Sequence, residues 1–438
     1  MAGVGSSGGN LIACMIPQLE LFRKRPIQAC ITGRLLEKLK PLSALPAKPD
    51  VIEFTSPGRP LHYLDINNLT LRLVVHMRKK SSGENLQELD DKNCIVDCSL
   101  HSIFSQCEVF LSEKPVTRSS HLYNYKSVLE LYSTAGEDAR NGPLSTIPVD
   151  PEEAPASATT SGAFDRRAEA YKGSKRVELI GKLRSDVCSM QDGCYILDNV
   201  PLRVRLTLAS QEFFLWSKAA TPDVELIFDE AELWASYYLG NPELGMGLEL
   251  ALSEQNATYN YKSTQIKSFV HAANSENLEI PVAFSGRLPS TLILCMVKTA
   301  DFNGSVKTNP YNFVHSDLQD LAFLCNGVER KYKMDMDAPM GCSTVLRSMY
   351  SELGFDLDGE GGGTAYTMKR MFNGRFACAI DLTIDHSGRS AAQNLEQYGT
   401  IGINGRFKKA PTQSLCILLY AQYESCLEIN SAREVTCI

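Results

Sequence analysis

A chain of 438 residues is about three times the commonest domain length, so it holds one very large domain or two similar ones. With 44% hydrophobic residues it can bury a sizeable core, while a net charge of −7 and a pI near 5.6 argue against a protein whose main task is to neutralise nucleic acid. No window approaches the ~20 apolar residues that a membrane-spanning helix requires.

Residues 1–49 carry Arg23, Lys24, Arg25, Arg34, Lys38, Lys40 and Lys48 against Glu20 and Glu37, inside an otherwise acidic protein. Two readings stand: an arm with its own anionic partner, or a peptide that packs under a neighbour through Leu19, Leu21, Ile27 and Leu35. The apolar run Leu11–Pro17 lacks a preceding basic region and is too short for a signal peptide, so a soluble protein, intracellular when made, is expected. On that expectation the sequons at Asn68, Asn256 and Asn303 stay unmodified.

From Val51 the pattern is one of strands. Asn68–Val75 alternates with period two, which puts Leu69, Leu71, Leu73 and Val75 on one face, and the polar tract Lys79–Lys92 is its loop. Glu108–Leu111 is a strand, Tyr125–Tyr132 a short helix, and residues 143–163, with four prolines, a surface loop. Arg176–Leu183 and Leu202–Leu208 restore the alternation. After Ala219–Pro222 the order of events repeats. Val109–Val116 followed by Ser127–Tyr132 has a counterpart in Ala322–Val328 followed by Thr344–Tyr350, and Asp198–Leu206 in Tyr398–Phe407. Two halves of similar content fit tandem β-sandwiches better than one giant sheet.

In the second half, Thr291–Val297 is apolar at nearly every position and reads as a strand buried on both faces. Asn303-Gly304 and Asn309-Pro310 then form turns, and the chain returns to the core with Tyr311 and Phe313. Ser414–Ala421 is another fully buried strand.

The search for chemistry finds little. The 14 cysteines include no CxxC pair, the closest being Cys94 and Cys98, so a structural zinc site is not expected. Cys295, Cys325 and Cys416 lie in apolar runs, where a reduced thiol acts as a small hydrophobe. Gly5-Ser6-Ser7-Gly8-Gly9 matches a hydrolase elbow but lacks the strand and helix that would present its serine. The seven histidines are scattered. Asp381 and Asp385 would share one face of a strand and imitate a carboxylate pair, although a solvated strand edge is the plainer reading. The glycine loop Asp358–Thr364 has acids where a phosphate cradle needs a Lys-Ser/Thr pair, so it reads as a surface turn. No enzyme and no cofactor are expected.

The order of these features resembles the hexon-like major capsid proteins of Polinton (Maverick) elements and the related adintoviruses. The likeness runs through Leu19–Phe22 with Pro26–Gln28, Pro41–Leu45, Ile52–Phe54, Tyr63–Ile66, Leu100–Gln106, Gly173–Lys175 and Ile180–Leu183. It continues in Asp301-Phe302-Asn303-Gly304-Ser305, Asn309-Pro310-Tyr311-Asn312-Phe313, Tyr420–Tyr423 and Leu427–Ile429. Where the family has a Thr/Ser-rich tract after the N-terminal proline, this chain has Ile27–Cys30.

The resemblance implies an all-β double jelly roll, two tandem eight-stranded antiparallel rolls with short helices in the loops. Expected divisions are an arm at 1–49, a first roll at 50–218 and a second at 219–438. It further implies a homotrimeric, pseudo-hexagonal capsomer of an icosahedral virion, in contact with penton and minor capsid proteins. Arg23, Lys24 and Arg25 are expected at the shell's inner face, within reach of genome DNA. Two alternatives stand beside it: a penton-type minor capsid protein built on one roll, and a glycan-binding sandwich using a loop with Trp234, Tyr237 and Tyr238.

Overall fold

The computed structural model describes residues 27–87, 92–118, 120–147, 162–190, 193–219, 221–337, 339–355, 363–388 and 393–437. The first ten strands are β1 (Ile31–Leu39), β2 (Val51–Ser56), β3 (His62–Arg78), β4 (Asn93–Ile95), β5 (Phe104–Leu111), β6 (Lys114–Pro115), β7 (Val177–Lys182), β8 (Leu202–Leu208), β9 (Leu215–Ser217) and β10 (Glu225–Gly240). The remaining nine are β11 (Ala257–His271), β12 (Asn277–Arg287), β13 (Thr291–Lys298), β14 (Leu318–Cys325), β15 (Val328–Lys333), β16 (Ala377–Asp381), β17 (Tyr398–Phe407), β18 (Leu415–Ile429) and β19 (Val435–Cys437). These strands pair antiparallel throughout.

Sheet order defines the architecture. The first half forms β1-β10-β3-β7 and β2-β8-β5-β6, the second β11-β18-β13-β16 and β12-β17-β14-β15. Set aside the small β4–β9 pair and β19, which extends the sheet of β18, and each half has eight strands. Ranked in chain order, both halves then read 1-8-3-6 and 2-7-4-5. Pairing the first strand with the last, and the second with the seventh, wraps one long hairpin around a core. The molecule is therefore a double jelly roll, as expected.

Period-two burial drives this arrangement. β2 buries Ile52, Phe54 and Ser56, and β8 buries Leu202, Val204 and Leu206, while the residues between them face outward. β13 and β16 break the alternation because both of their faces are covered, so every residue but Lys298 is buried. The internal repeat falls on equivalent elements. β5 and β14 are both fourth strands, the helices Tyr123–Thr134 and Ser343–Glu352 both lie between fifth and sixth strands, and β8 and β17 are both seventh.

Strand pairing divides the chain differently from the sequence expectation. β1 lies within the supposed arm yet pairs with β10 from Ile31 to Leu39, and β10 lies beyond residue 219 yet pairs with β3 along most of its length. The chain between β9 and β10 therefore links two strands of the first roll, not two rolls. The true crossing is the helix Pro242–Glu254. It starts where the Asn241 side chain accepts the Leu244 amide at 2.7 Å, with Pro242 in the first turn. Of the two loops expected at the surface, 148–161 and 356–362 lie outside the described residues, while Pro143–Thr146 is a 3₁₀ turn and Gly162–Tyr171 a helix.

Candidate functional site: the seam between the rolls

The side chains considered for catalysis do not converge. Asp381 is 1% exposed and accepts the Thr383 amide (2.8 Å), the Thr383 hydroxyl (2.6 Å) and the Gly388 amide (2.9 Å). It organises a turn inside the protein, which corrects the expectation of a solvated strand edge. Asp385 lies past the end of β16, exposed, and accepts from Ser387. The two carboxylates therefore do not form a pair. His101 is buried, with Nδ1 3.0 Å from the Tyr123 hydroxyl; burial, with Arg184 and Lys126 nearby, lowers its pKa to about 3. Among the described residues no group of His, Cys, Asp and Glu could hold a metal ion. Eight of the 13 described cysteines are buried, which suits the reading of thiols as small apolar groups.

What the fold does bring together is a seam. The helix Tyr123–Thr134 of the first roll lies against the 299–313 loop of the second. Tyr125 stacks on Phe302 (ring centroids 5.5 Å apart) and meets Tyr311 (5.5 Å) and Phe213 (5.6 Å) edge-on. Its hydroxyl donates to the Pro310 carbonyl at 3.2 Å, and the Tyr311 hydroxyl donates to Ser102 Oγ at 2.8 Å. Gly304, at φ 96°, comes so close to Phe213 that a Cβ there would sit 3.2 Å from its backbone, so the Asn303-Gly304 turn is needed for the rolls to approach. Tyr311 and Phe313 are 1% and 0% exposed, so the chain does return to the core as the sequence predicts.

Charge is buried here too. Asp97, 2% exposed, accepts from the Tyr132 hydroxyl at 2.6 Å. It also faces two guanidiniums, Arg375 of the second roll at 3.5 Å and Arg167 of the first at 3.6 Å. The Arg375 guanidinium lies 4.4 Å over the Tyr132 ring. Nearby, Lys126 pairs with Asp186 at 2.6 Å and Glu130 at 3.5 Å. Burial alone would push the Lys126 pKa down, but the two carboxylates outweigh it and hold it above the ordinary lysine value. Asp186 also accepts the Thr264 amide of β11 at 3.0 Å, and Glu130 accepts from the Tyr420 hydroxyl of β18 at 3.2 Å. These ion pairs and hydrogen bonds cross from one roll to the other and favour one relative placement of the two.

The basic cluster Arg23, Lys24 and Arg25 lies outside the described residues, as does most of the glycine loop. The segment with Trp234, Tyr237 and Tyr238 is the strand β10 and not a loop. Tyr237 is 4% exposed and donates to Ser56 Oγ at 2.8 Å. Tyr238 stacks on Tyr195 at 4.5 Å, and Lys38 covers Trp234 at 4.6 Å. These rings do not form an exposed platform for a sugar. Sequence reasoning missed Asp97, Lys126, Asp186 and Arg375, which have no shared spacing. Its one usable signal was the pair Tyr311 and Phe313 inside a polar loop.

Neither a protein-family model nor a curated protein matches the sequence. Solved structures do match the fold. A chain in the structure of the Sputnik virophage superposes with a TM-score of 0.63 at 12% identity, over 98% of this chain and 93% of that one. The faustovirus major capsid protein gives 0.60 at 8% identity (94% and 92%), and the mavirus major capsid protein 0.58 at 9% (100% and 96%). Likeness over nearly the full length of both partners establishes the double jelly roll of viral major capsid proteins as the fold of this chain.

Proposed function

We propose that the chain is a structural capsid protein whose homotrimer is a pseudo-hexagonal capsomer of an icosahedral shell, in a Polinton- or adintovirus-like DNA virus. One observation carries this reading: two rolls of identical strand order are fused by a seam of stacked aromatic rings and buried charges. A chain so built presents two near-equivalent bodies, and three copies present six, so a threefold particle fills a near-sixfold position with closed rotational symmetry. The fold neighbours named as major capsid proteins support it. A vertex protein with one roll per subunit has half the rolls of this chain. No helix among the described residues is long and apolar enough to cross a membrane.

On this reading the arm bearing Arg23, Lys24 and Arg25 meets the genome or minor capsid proteins at the inner face of the virion shell. Light scattering on the purified protein tests the trimer. A mass near three times 48.4 kDa, with a six-cornered outline in negative stain, is expected; a monomer at every concentration overturns the reading. Removing residues 1–26, which leaves β1 whole, is expected to spare trimers and impair shells.

A further inference from the structure

Within the chain one roll already binds another, and the two surfaces in contact are unlike. β11, the first strand of the second roll, sets its free edge against the connection that follows β7, the sixth strand of the first. There Asp186 Oδ2 accepts the Thr264 amide at 3.0 Å. The Tyr259 hydroxyl accepts the Leu197 amide and donates to the Tyr195 carbonyl, both at 3.2 Å. A contact between unlike surfaces leaves one unused half on each roll. Here these are the free edge of β1 in the first roll and the turn after β16 in the second.

Strand register makes the equivalence residue-specific. Across β11, β18, β13 and β16 one row of paired residues runs Thr264, Gln422, Thr291, Asp381. The matching row across β1, β10, β3 and β7 is Lys38, Trp234, Thr70, Lys182. Asp186, which takes the Thr264 amide, stands four residues past Lys182, and four residues past Asp381 stands Asp385. Lys38 and Asp385 thus hold the places of Thr264 and Asp186. The inner pair is covered, at 5% and 7% exposure, whereas the outer pair is exposed.

Apolar surface follows the same division. Leu35, 39% exposed, stands in the row that Tyr261 fills at 6% exposure. On the connection that carries Asp385, Ile384 and Leu395 are 79% and 83% exposed. Charges complement: Arg34 and Lys38 are exposed on β1, Asp385 and Glu396 on that connection.

Resting on the trimeric reading above, we propose that the β1 edge of one copy docks on the turn 382–388 and Leu395 of the next. The Lys38 amide donates to the Asp385 carboxylate, as Thr264 donates to Asp186 inside the chain. The partner is a second copy of this protein, and each copy gives one half-site and receives the other.

Two variants and a cross-link test this on the full chain. Asp385→Lys is expected to raise the concentration at which the trimer dissociates at least tenfold, with an unchanged melting temperature of the monomer. Lys38→Pro, which removes an amide of an edge strand together with the lysine side chain over Trp234, is expected to act the same way. Lys38→Cys combined with Asp385→Cys is expected to give, on oxidation, a covalent three-chain species on a non-reducing gel that neither single variant gives. A trimer of wild-type strength in both charge and proline variants, without the cross-link, overturns the assignment of the surface and leaves the trimeric reading standing. A wild-type protein that stays monomeric overturns both.

Discussion

β1 and β11 are the first strands of their rolls, both pair on one side only, and they differ in what covers the other side. The first roll caps the edge of β11: Asp186, itself paired with the buried Lys126, takes the Thr264 amide, and the Leu197 amide and Tyr195 carbonyl bond the Tyr259 hydroxyl of β11. β1, with the same place in the same topology, meets solvent with Leu35 and Leu36 uncovered. An exposed strand edge is a template for association; fusion of the two rolls covers one such edge, and the other is the one proposed above to receive a second copy. The comparison predicts that residues of the seam act on folding, while their counterparts at the outer edges act on assembly alone.

The sharpest break is in the aromatic cluster. Tyr125 is 1% exposed and touches Phe213, Phe302 and Tyr311, so Tyr125→Ala is expected to cost about 3 to 5 kcal/mol of unfolding free energy by urea titration. Asp97→Ala acts at the same seam by another route. It removes the carboxylate that both Arg375 and Arg167 face and the acceptor of the Tyr132 hydroxyl, and the expected loss is about 3 kcal/mol. Leu36→Ala at the outer edge is expected to change the monomer by less than about 0.5 kcal/mol in the same titration.

Acid acts on the first roll through a buried imidazole. His101 of the first roll has a folded-state pKa of about 3, below the 6.5 of an unconstrained imidazole, so the unfolded chain binds its proton first. The stability it contributes is full above pH 6.5 and is lost as pH falls toward 3, by about 2 kcal/mol at pH 5. Tryptophan fluorescence follows this, because Trp216, which is fully buried, is in the first roll. A stability flat between pH 7 and 5 would contradict the burial of this imidazole.

Much of this architecture was legible in the residues, for a local reason. Leu202–Leu208 was bounded correctly because period-two alternation and flanking turns are properties of a few neighbours in sequence. The repeat was visible because equivalent strands carry the same alternation and equivalent helices the same Val-Leu and closing tyrosine. What stayed hidden is non-local. β1 and β10 pair across some 200 residues, and nothing in the Ile31–Leu39 pattern, in which Arg34, Glu37 and Lys38 interrupt the apolar residues, says which strand it joins. Asp381 ends a strand and looks like a surface acid until the Thr383 and Gly388 amides close around it. The seam residues Asp97, Lys126 and Asp186 are single charges with no shared spacing, so only folding brings them together.

The finest test of the comparison is a matched pair of single substitutions, Asp186→Ala and Asp385→Ala. Both remove a carboxylate four residues past the end of a sixth strand. Asp186 is 7% exposed, caps the Thr264 amide and faces Lys126, so its loss strands an amide and weakens the pairing of a buried ammonium. The expected cost is about 2 kcal/mol in the monomer, because each buried group left without its partner costs about 1 to 3 kcal/mol. Asp385 is exposed, and its described partner is Ser387 within its own turn, so the same change is expected to cost the monomer less than about 0.5 kcal/mol. If the outer edges do meet between copies, the order inverts when dissociation of the trimer is measured: Asp385→Ala weakens it at unchanged monomer stability, and Asp186→Ala weakens it only as far as it unfolds the roll. Equal effects of the two substitutions on both measurements would mean that the fused contact and the contact between copies are not the same contact.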